Sequence, residues 1–324
     1  MIPNQWYAVL NSKEVKKGKV IGAKRFGEKL AFWKDKDGNV SCIKDKCCHR
    51  GASLSLGKVV DEHLQCPFHG LEYDSTGKVV VIPANGKEAK VPKNFKVNAY
   101  PTRDKFGFIW VWFGDFQEDL PAIKFFDIDK KFSYSSFSDH WTVHYTRAIE
   151  NQLDVSHLPF VHSNSIGRGN KTLVNGPKVE VEDNMIRVWV NNEKDKGQKP
   201  LKPDEFPEDI KETELQFRFP NIWQNRLSEK LRIVAAFVPI DEKNTRIYIR
   251  FYQKFIRVPG FRRLINSISD IGNKWILGQD KKVVLTQRPI KTELEMGENL
   301  FQADLPIITF RRIREKLKSS NSTK

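Results

Sequence analysis

Two short stretches, Cys47-Cys48-His49-Arg50-Gly51-Ala52 and Cys66-Pro67-Phe68-His69-Gly70, decide how the first part of this chain is read. As spacing they are Cys-x-His, sixteen residues, then Cys-x-x-His. Each half offers one thiolate and one imidazole from a tight loop. Gly51 and Gly70, just after the histidines, allow close backbone approach to whatever the loops hold. All four cysteines, Cys42, Cys47, Cys48 and Cys66, fall in about the first fifth of a chain of 324 residues. A disulfide framework would be spread through a smaller secreted protein, so the crowding points to metal.

Two arrangements can use these donors. A tetrahedral zinc would take all four on one ion. A Rieske [2Fe–2S] cluster would put Cys47 and Cys66 on one iron and His49 and His69 on the other. Zinc loops usually leave roughly two to four residues between paired ligands. The single residue between Cys47 and His49 is tight for one ion and suits a cluster whose irons are spread apart. Cys48 reads as a spacer thiol, because a ligand directly adjacent to His49 is sterically poor. Cys42 reads as a buried strand residue.

Outward from the loops, residues 1–115 read as short strands, with Leu30–Trp33, Val40–Ile43 and Phe106–Phe113 the most apolar. Asp74-Ser75-Thr76-Gly77 is a turn signal. Residues 116–135 read as a connection. Beyond it, Arg147–His157 can be helical, ending near Pro159. Residues 179–190, 213–225, 231–238 and 245–255 read as strands, 191–211 as a mobile insertion with three prolines, and Phe261–Thr286 as a helix. The chain after about Phe310 is expected to fray.

The second informative stretch is Asn151-Gln152-Leu153-Asp154-Val155-Ser156-His157-Leu158-Pro159-Phe160-Val161-His162. Asp154 and His157, three apart, would share a helix face. Pro159 interrupts the helix so that His157 and His162 can converge. Two histidines with one carboxylate are the facial set that holds oxygen-activating ferrous iron. The carboxylate must come from elsewhere, and Asp270 and Asp280 both lie on the late helix.

Taken together, the His-Arg-Gly-Ala and Pro-Phe-His-Gly contexts and the Asn-x-x-Asp-x-x-His-x4-His pattern resemble the Rieske non-haem iron oxygenases. The resemblance covers nearly the whole chain. Cys48 departs from it, since that position is commonly proline. The length resembles the short, α-only members, such as dicamba and vanillate O-demethylases and the hydroxylases of saxitoxin-type alkaloids. The resemblance implies an α+β protein. An N-terminal all-β Rieske domain, 1–115, would precede a helix-grip (START-like) antiparallel-sheet catalytic domain, 116–324. It implies a [2Fe–2S] cluster on Cys47, His49, Cys66 and His69. It also implies mononuclear Fe(II) on His157, His162 and, in preference to Asp270, Asp280. Asp154 matches a bridging aspartate that hydrogen-bonds His157 and a cluster histidine, His69, of the next subunit in a head-to-tail homotrimer.

The activity so implied is oxygenation of a small organic substrate with O2. Electrons come from a ferredoxin or flavin reductase and thus indirectly from NAD(P)H. Monooxygenation, as hydroxylation or demethylation, is the expected outcome; aromatic ring dihydroxylation is the alternative, and a non-catalytic Rieske electron carrier is the alternative of another class. Asn151, Asn221, Trp223, Gln224, Ile233, Ala235 and Phe237 are the expected pocket residues. Lys plus Arg is 55 against 40 Asp plus Glu, a net charge of +15. No nucleic-acid motif accompanies it. Lys44, Lys46, Arg50 and Lys58 lie near the cluster loops and would face an acidic donor. One of the longest apolar stretches, Ile233–Ile240, is far too short to span a membrane. A cytoplasmic protein is expected.

Overall fold

Short runs of apolar residues separated by glycine turns give the described residues of the first 124 ten strands and no α-helix in the computed structural model. The structure describes the chain except residues 116, 208–213, 256–258 and 321–324, and the side chains of 259–271. Two units are present, Met1–Lys124 with Pro239–Asp241, and Phe125–Val238 with Glu242–Lys324.

In the first unit the strands run β1 Gln5–Asn11, β2 Val20–Arg25, β3 Glu28–Lys34, β4 Val40–Lys44, β5 Lys58–Val60, β6 His63–Gln65, β7 Glu72–Tyr73, β8 Val79–Val81, β9 Thr102–Lys105 and β10 Phe108–Phe113. They form sheets ordered β1-β10-β9, β2-β3-β4 and β5-β6-β7-β8. Ala31 on β3 lies opposite Ile43 on β4, and Phe32 opposite Cys42. The strand expected from Phe106 starts at Phe108, because Phe106 and Gly107 both take positive φ in the turn before it. Trp33, Ile43, Leu54, Leu64, Leu71 and Tyr73 pack into one core that includes Cys47 and Cys66. Both cysteines are thereby rooted in the core of the unit.

The second unit contains β11 Ser133–Trp141, α1 Tyr145–Leu153, α2 Leu158–Val161, β12 Leu173–Glu182, β13 Met185–Glu193, β14 Glu214–Arg218, β15 Ile222–Ser228, β16 Leu231–Asp241, β17 Asn244–Gln253, α3 Pro259–Val284 and α4 Leu305–Ser319. The seven strands make one sheet, ordered β11-β17-β16-β15-β14-β13-β12.

Several expected elements differ. The strand read at 179–190 is part of a hairpin, because Asp183 and Asn184 turn the chain with φ of 50° and 56°; short polar side chains tolerate that region. The strand read at 213–225 is two, divided at Phe219-Pro220-Asn221. The insertion at 191–211 is pinned in its described part, where Leu201 N donates to Asn175 Oδ1 at 2.9 Å and Gly176 N to Leu201 O at 3.0 Å. The tail expected to fray is α4. Its Arg311 and Arg314 are buried, since Arg311 makes paired 2.8 Å bonds to Glu150 and Arg314 donates to Thr292 O.

Candidate metal centres

The two cysteine–histidine loops share one backbone frame. Cys47 N donates to Ala52 O at 2.8 Å and Gly51 N to Cys47 O at 2.9 Å; Cys66 N donates to Leu71 O at 2.8 Å and Gly70 N to Cys66 O at 3.1 Å. Gly51 and Gly70 close the loops with φ of 76° and 73°, which a side chain would strain. This frame buries Cys47 and Cys66 and leaves His49 and His69 exposed. The two imidazoles lie edge to face, 4.7 Å between ring centroids. Two sulfurs inside and two nitrogens outside fit a diiron cluster.

Tyr73 closes the inner side. Its hydroxyl donates to Cys47 Sγ at 3.1 Å, accepts from Cys48 N at 3.0 Å and lies 3.2 Å from Cys48 Sγ. Burial pushes the Cys66 thiol up, opposed by the Phe68 and His69 amides directed at its sulfur. Such amides stabilise a metal-bound thiolate. Cys42 is buried in β4, away from the loops' donor set.

In the second unit, α1 stops at Leu153, earlier than expected. Asp154 turns extended, and its Oδ1 accepts from Ser156 N at 2.7 Å, Ser156 Oγ at 2.8 Å and His157 N at 3.1 Å. Asp154 and His157 therefore do not share a helix face; a side-chain turn joins them. Pro159 sits in the first turn of α2, where a missing N–H costs nothing. His157 and His162 cap the two ends of that four-residue helix.

Asp280 arrives from α3. Its Oδ1 lies 2.9 Å from His162 Nε2 and 3.4 Å from His157 Nε2. One donor atom from each of His157, His162 and Asp280 can be chosen so that all lie within 4.8 Å of one another. The Asp270 side chain lies outside the described residues. Burial, which would lower the His157 imidazole, is outweighed by Asp154 and Asp280, and it is pushed up to about 9. Burial would raise Asp280, but His157 and His162 hold it below the usual carboxylate range. A site this hungry for positive charge, with Asp280 Oδ1 buried against both imidazoles, fits a metal ion in place of the proton. His162 Nδ1 lies 2.8 Å from Gln279 Oε1, which leaves Nε2 free to face the centre.

These donors open into a cavity of about 510 Å³. Asn273, Ile276, Leu277 and Asp280 form one wall from α3, at the spacing of a single helix face. Trp223, Asn225 and Leu227, alternate residues of β15, form the opposite wall with Leu215 and Ile233, the cross-strand partners of Asn225. Of the expected pocket residues, Asn151, Trp223 and Ile233 line the cavity, whereas Asn221, Gln224, Ala235 and Phe237 do not. Gln224 bonds Gln216 at 2.9 Å, and Asn221 Nδ2 donates to Phe237 O at 3.2 Å. The parity of β15 decides this: choosing Trp223 excludes Gln224. Asn225, of the same parity as Trp223, and the α3 stripe are both legible in the sequence as periodicity.

Residues 5–101 match the Rieske [2Fe–2S] domain family, and residues 141–320 match the vanillate O-demethylase oxygenase C-terminal domain family. The chain belongs to the Rieske oxygenases of the vanillate O-demethylase type. This Rieske oxygenase is 36% identical to chlorophyllide a oxygenase of Chlamydomonas reinhardtii over 51% of the chain and 25% of that protein. It is 34% identical to the vanillate O-demethylase oxygenase subunit of Pseudomonas sp. HR199 over 51% of the chain and 46% of that protein. It is 31% identical to the oxygenase component of chloroacetanilide N-alkylformylase of Rhizorhabdus wittichii over 60% of the chain and 56% of that protein. The matched segments thus span about a quarter to just over half of these relatives. In fold it resembles Pseudomonas putida CBB5 NdmA (TM-score 0.79, 21% identity, 98% of this chain and 91% of that one). It also resembles dicamba monooxygenase bound to dicamba (TM-score 0.76, 22% identity, 100% and 99%). The cofactors of this family are a [2Fe–2S] cluster and non-haem iron. No helix among the described residues is long and apolar enough to cross a membrane.

Proposed function

We propose that this Rieske oxygenase is a terminal monooxygenase component that hydroxylates a small organic molecule or removes its O- or N-methyl group. The observation that carries the reading is the convergence of His157, His162 and Asp280 on one side of a cavity otherwise lined mainly by apolar residues. Iron bound there would supply dioxygen activation, one oxygen atom entering a C–H bond and the other leaving as water at the expense of two electrons and two protons. The chain's part is to hold and exclude. Cys47, Cys66, His49 and His69 hold the cluster, with the exposed imidazoles as the route for electrons. Leu215, Ile233, Ile249 and Phe251 keep the reacting carbon in a dry site. A hydroxylated methyl group on oxygen or nitrogen then breaks down to formaldehyde and the demethylated product.

In this reading Asp154 orients His157, with 3.6 Å between Oδ1 and Nδ1, and bridges to His69 of a neighbouring subunit in a homotrimer. Lys46, Arg50 and Lys58 are exposed beside the loops, and we assign them to docking of an acidic ferredoxin or flavin reductase that draws on NAD(P)H. Lys44 is committed in part to Glu28, 3.6 Å away. We place the protein in the cytoplasm with such a soluble donor.

The test is metal and sulfide analysis of protein purified without oxygen. About three irons and two labile sulfides per chain are expected. About two irons would make it an electron carrier, and zinc without sulfide would make it a binding module. A substrate screen coupling O2 uptake to product mass then identifies the reaction.

A further inference from the structure

The cavity carries more polar chemistry than its apolar walls suggest. Apart from atoms of the metal-site residues His157 and Asp280, four side-chain atoms that face no protein partner are buried on described residues lining it: Trp223 Nε1, Asn225 Oδ1, Asn151 Nδ2 and Asn273 Nδ2. Leaving such groups unpaired costs roughly 1–3 kcal/mol each, so native proteins keep few of them without a purpose. Trp223 is 5% exposed, and an indole N–H can only donate. Asn225 stands two residues further along the same face of β15, roughly 7 Å away. Three of the four atoms are donors and one is an acceptor, so the complementary ligand is rich in acceptors.

Charge narrows the class further. The lysine and arginine that line the cavity, Lys171 and Arg168, are both exposed. Arg168 Nε already donates to Asn164 O at 2.9 Å. The lining histidines, His157 and His162, face Asp280. Among the described lining residues, no buried lysine or arginine stands with Trp223 and Asn225. A carboxylate against that wall would lose its hydration with no opposite charge to replace it.

We propose that the substrate is an uncharged molecule of one or two rings. It presents a carbonyl, ether or ring-nitrogen acceptor to the Trp223 indole and an N–H or O–H to the Asn225 carboxamide. This rests on reading the cavity as the oxygenase's substrate site and names the class that site selects. The wall of Leu215, Ile233, Ile249 and Phe251 takes the apolar face of such a ring.

Calorimetric titration of the anaerobic holoprotein with size-matched pairs tests this. The pairs are 4-methoxybenzamide against 4-methoxybenzoate, and N-methyl-2-pyridone-carboxamide against its carboxylate. The neutral member of a pair is expected to bind about tenfold tighter or more, the equivalent of one well-made hydrogen bond. Trp223→Phe and, separately, Asn225→Leu are each expected to remove about tenfold of the neutral ligand's affinity. Two independent variants guard against one that fails to fold. The proposal is overturned if the carboxylate binds as tightly and Arg168→Ala or Lys171→Ala weakens it. It is equally overturned if both cavity variants bind the neutral ligands like the parent, or if no member of any pair binds. Iron and sulfide content of the same preparation reports on the oxygenase reading, so the two can fail separately.

Discussion

Gln279 and His162 are joined by a 2.8 Å contact between Oε1 and Nδ1, while the residue after Gln279, Asp280, meets Nε2 of the same imidazole at 2.9 Å. Neighbouring residues of α3 thus grip both nitrogens of one ring. An amide oxygen can only accept, so with a metal bound at the centre Nδ1 would carry the proton and Nε2 would offer its lone pair.

Gln279→Leu removes that acceptor without touching a donor atom of the centre. Iron affinity is expected to fall about 10–100-fold, read by chelator competition on anaerobic protein. Gln279→Glu keeps an acceptor at Nδ1 and is expected to retain the metal. Equal retention by the leucine variant would deny Gln279 any positioning role.

His157→Ala or Asp280→Ala takes one ligand from a set of three. The protein is expected to drop from about three irons to about two per two sulfides. The visible spectrum of the cluster should stay unchanged and product formation should cease. Loss of the spectrum together with the third iron would mean that the two centres are not separately held.

Tyr73→Phe deletes the hydroxyl that donates to Cys47 Sγ. Hydrogen bonds to cluster sulfurs favour the reduced, more negative form. One such bond, about 1–1.4 kcal/mol, corresponds to about 40–60 mV for a one-electron couple. The cluster potential is expected to fall by that amount in a redox titration.

Arg311→Ala leaves Glu150, 4% exposed, without its paired donor. Stripping one partner from a buried pair costs roughly 3–5 kcal/mol. Urea unfolding should register that loss, although the site lies in the segment whose sequence looks like a solvated basic tail.

His144 caps α1, its Nδ1 accepting from Thr146 N at 3.4 Å. Burial, then Arg314, Lys291 and other cations, lowers its imidazole from 6.5 to about 3. The unfolded chain therefore takes up a proton on falling below pH 6.5 that the folded chain refuses until about pH 3. This contribution to stability is fully present above pH 6.5 and is lost as the pH drops, on the order of 3 kcal/mol by pH 4. His144→Asn keeps a capping acceptor but cannot titrate. Its stability should slope less steeply with pH over that window than the parent's.

The sequence by itself singles out the donor residues of both candidate centres. Cys47, His49, Cys66 and His69 are local loops, and a loop of six residues closed by glycine needs nothing distant to present its donors. The positions of strands are also legible where alternation or apolar runs are strong, as in β3, β4, β16 and β17. What failed was mostly at turns. Asp183-Asn184 and Phe219-Pro220 divide continuous apolar stretches that periodicity alone joins, and Asp154 ends α1 through bonds to Ser156 and His157 that helix propensity does not count.

The resemblance already named Asp280, but only the tertiary structure carries it to the histidines, because Asp280 is more than a hundred residues from His162 and their 2.9 Å approach depends on where α3 packs. The same holds for the cavity wall: β15 shows one parity to the site and the other to the packed interior, and nothing local in its sequence says which. The C-terminal arginines make the point most sharply. A basic run is soluble by composition, yet Arg311 is buried because Glu150, far upstream on α1, supplies the opposite charge. Pairings of that kind are properties of the folded chain.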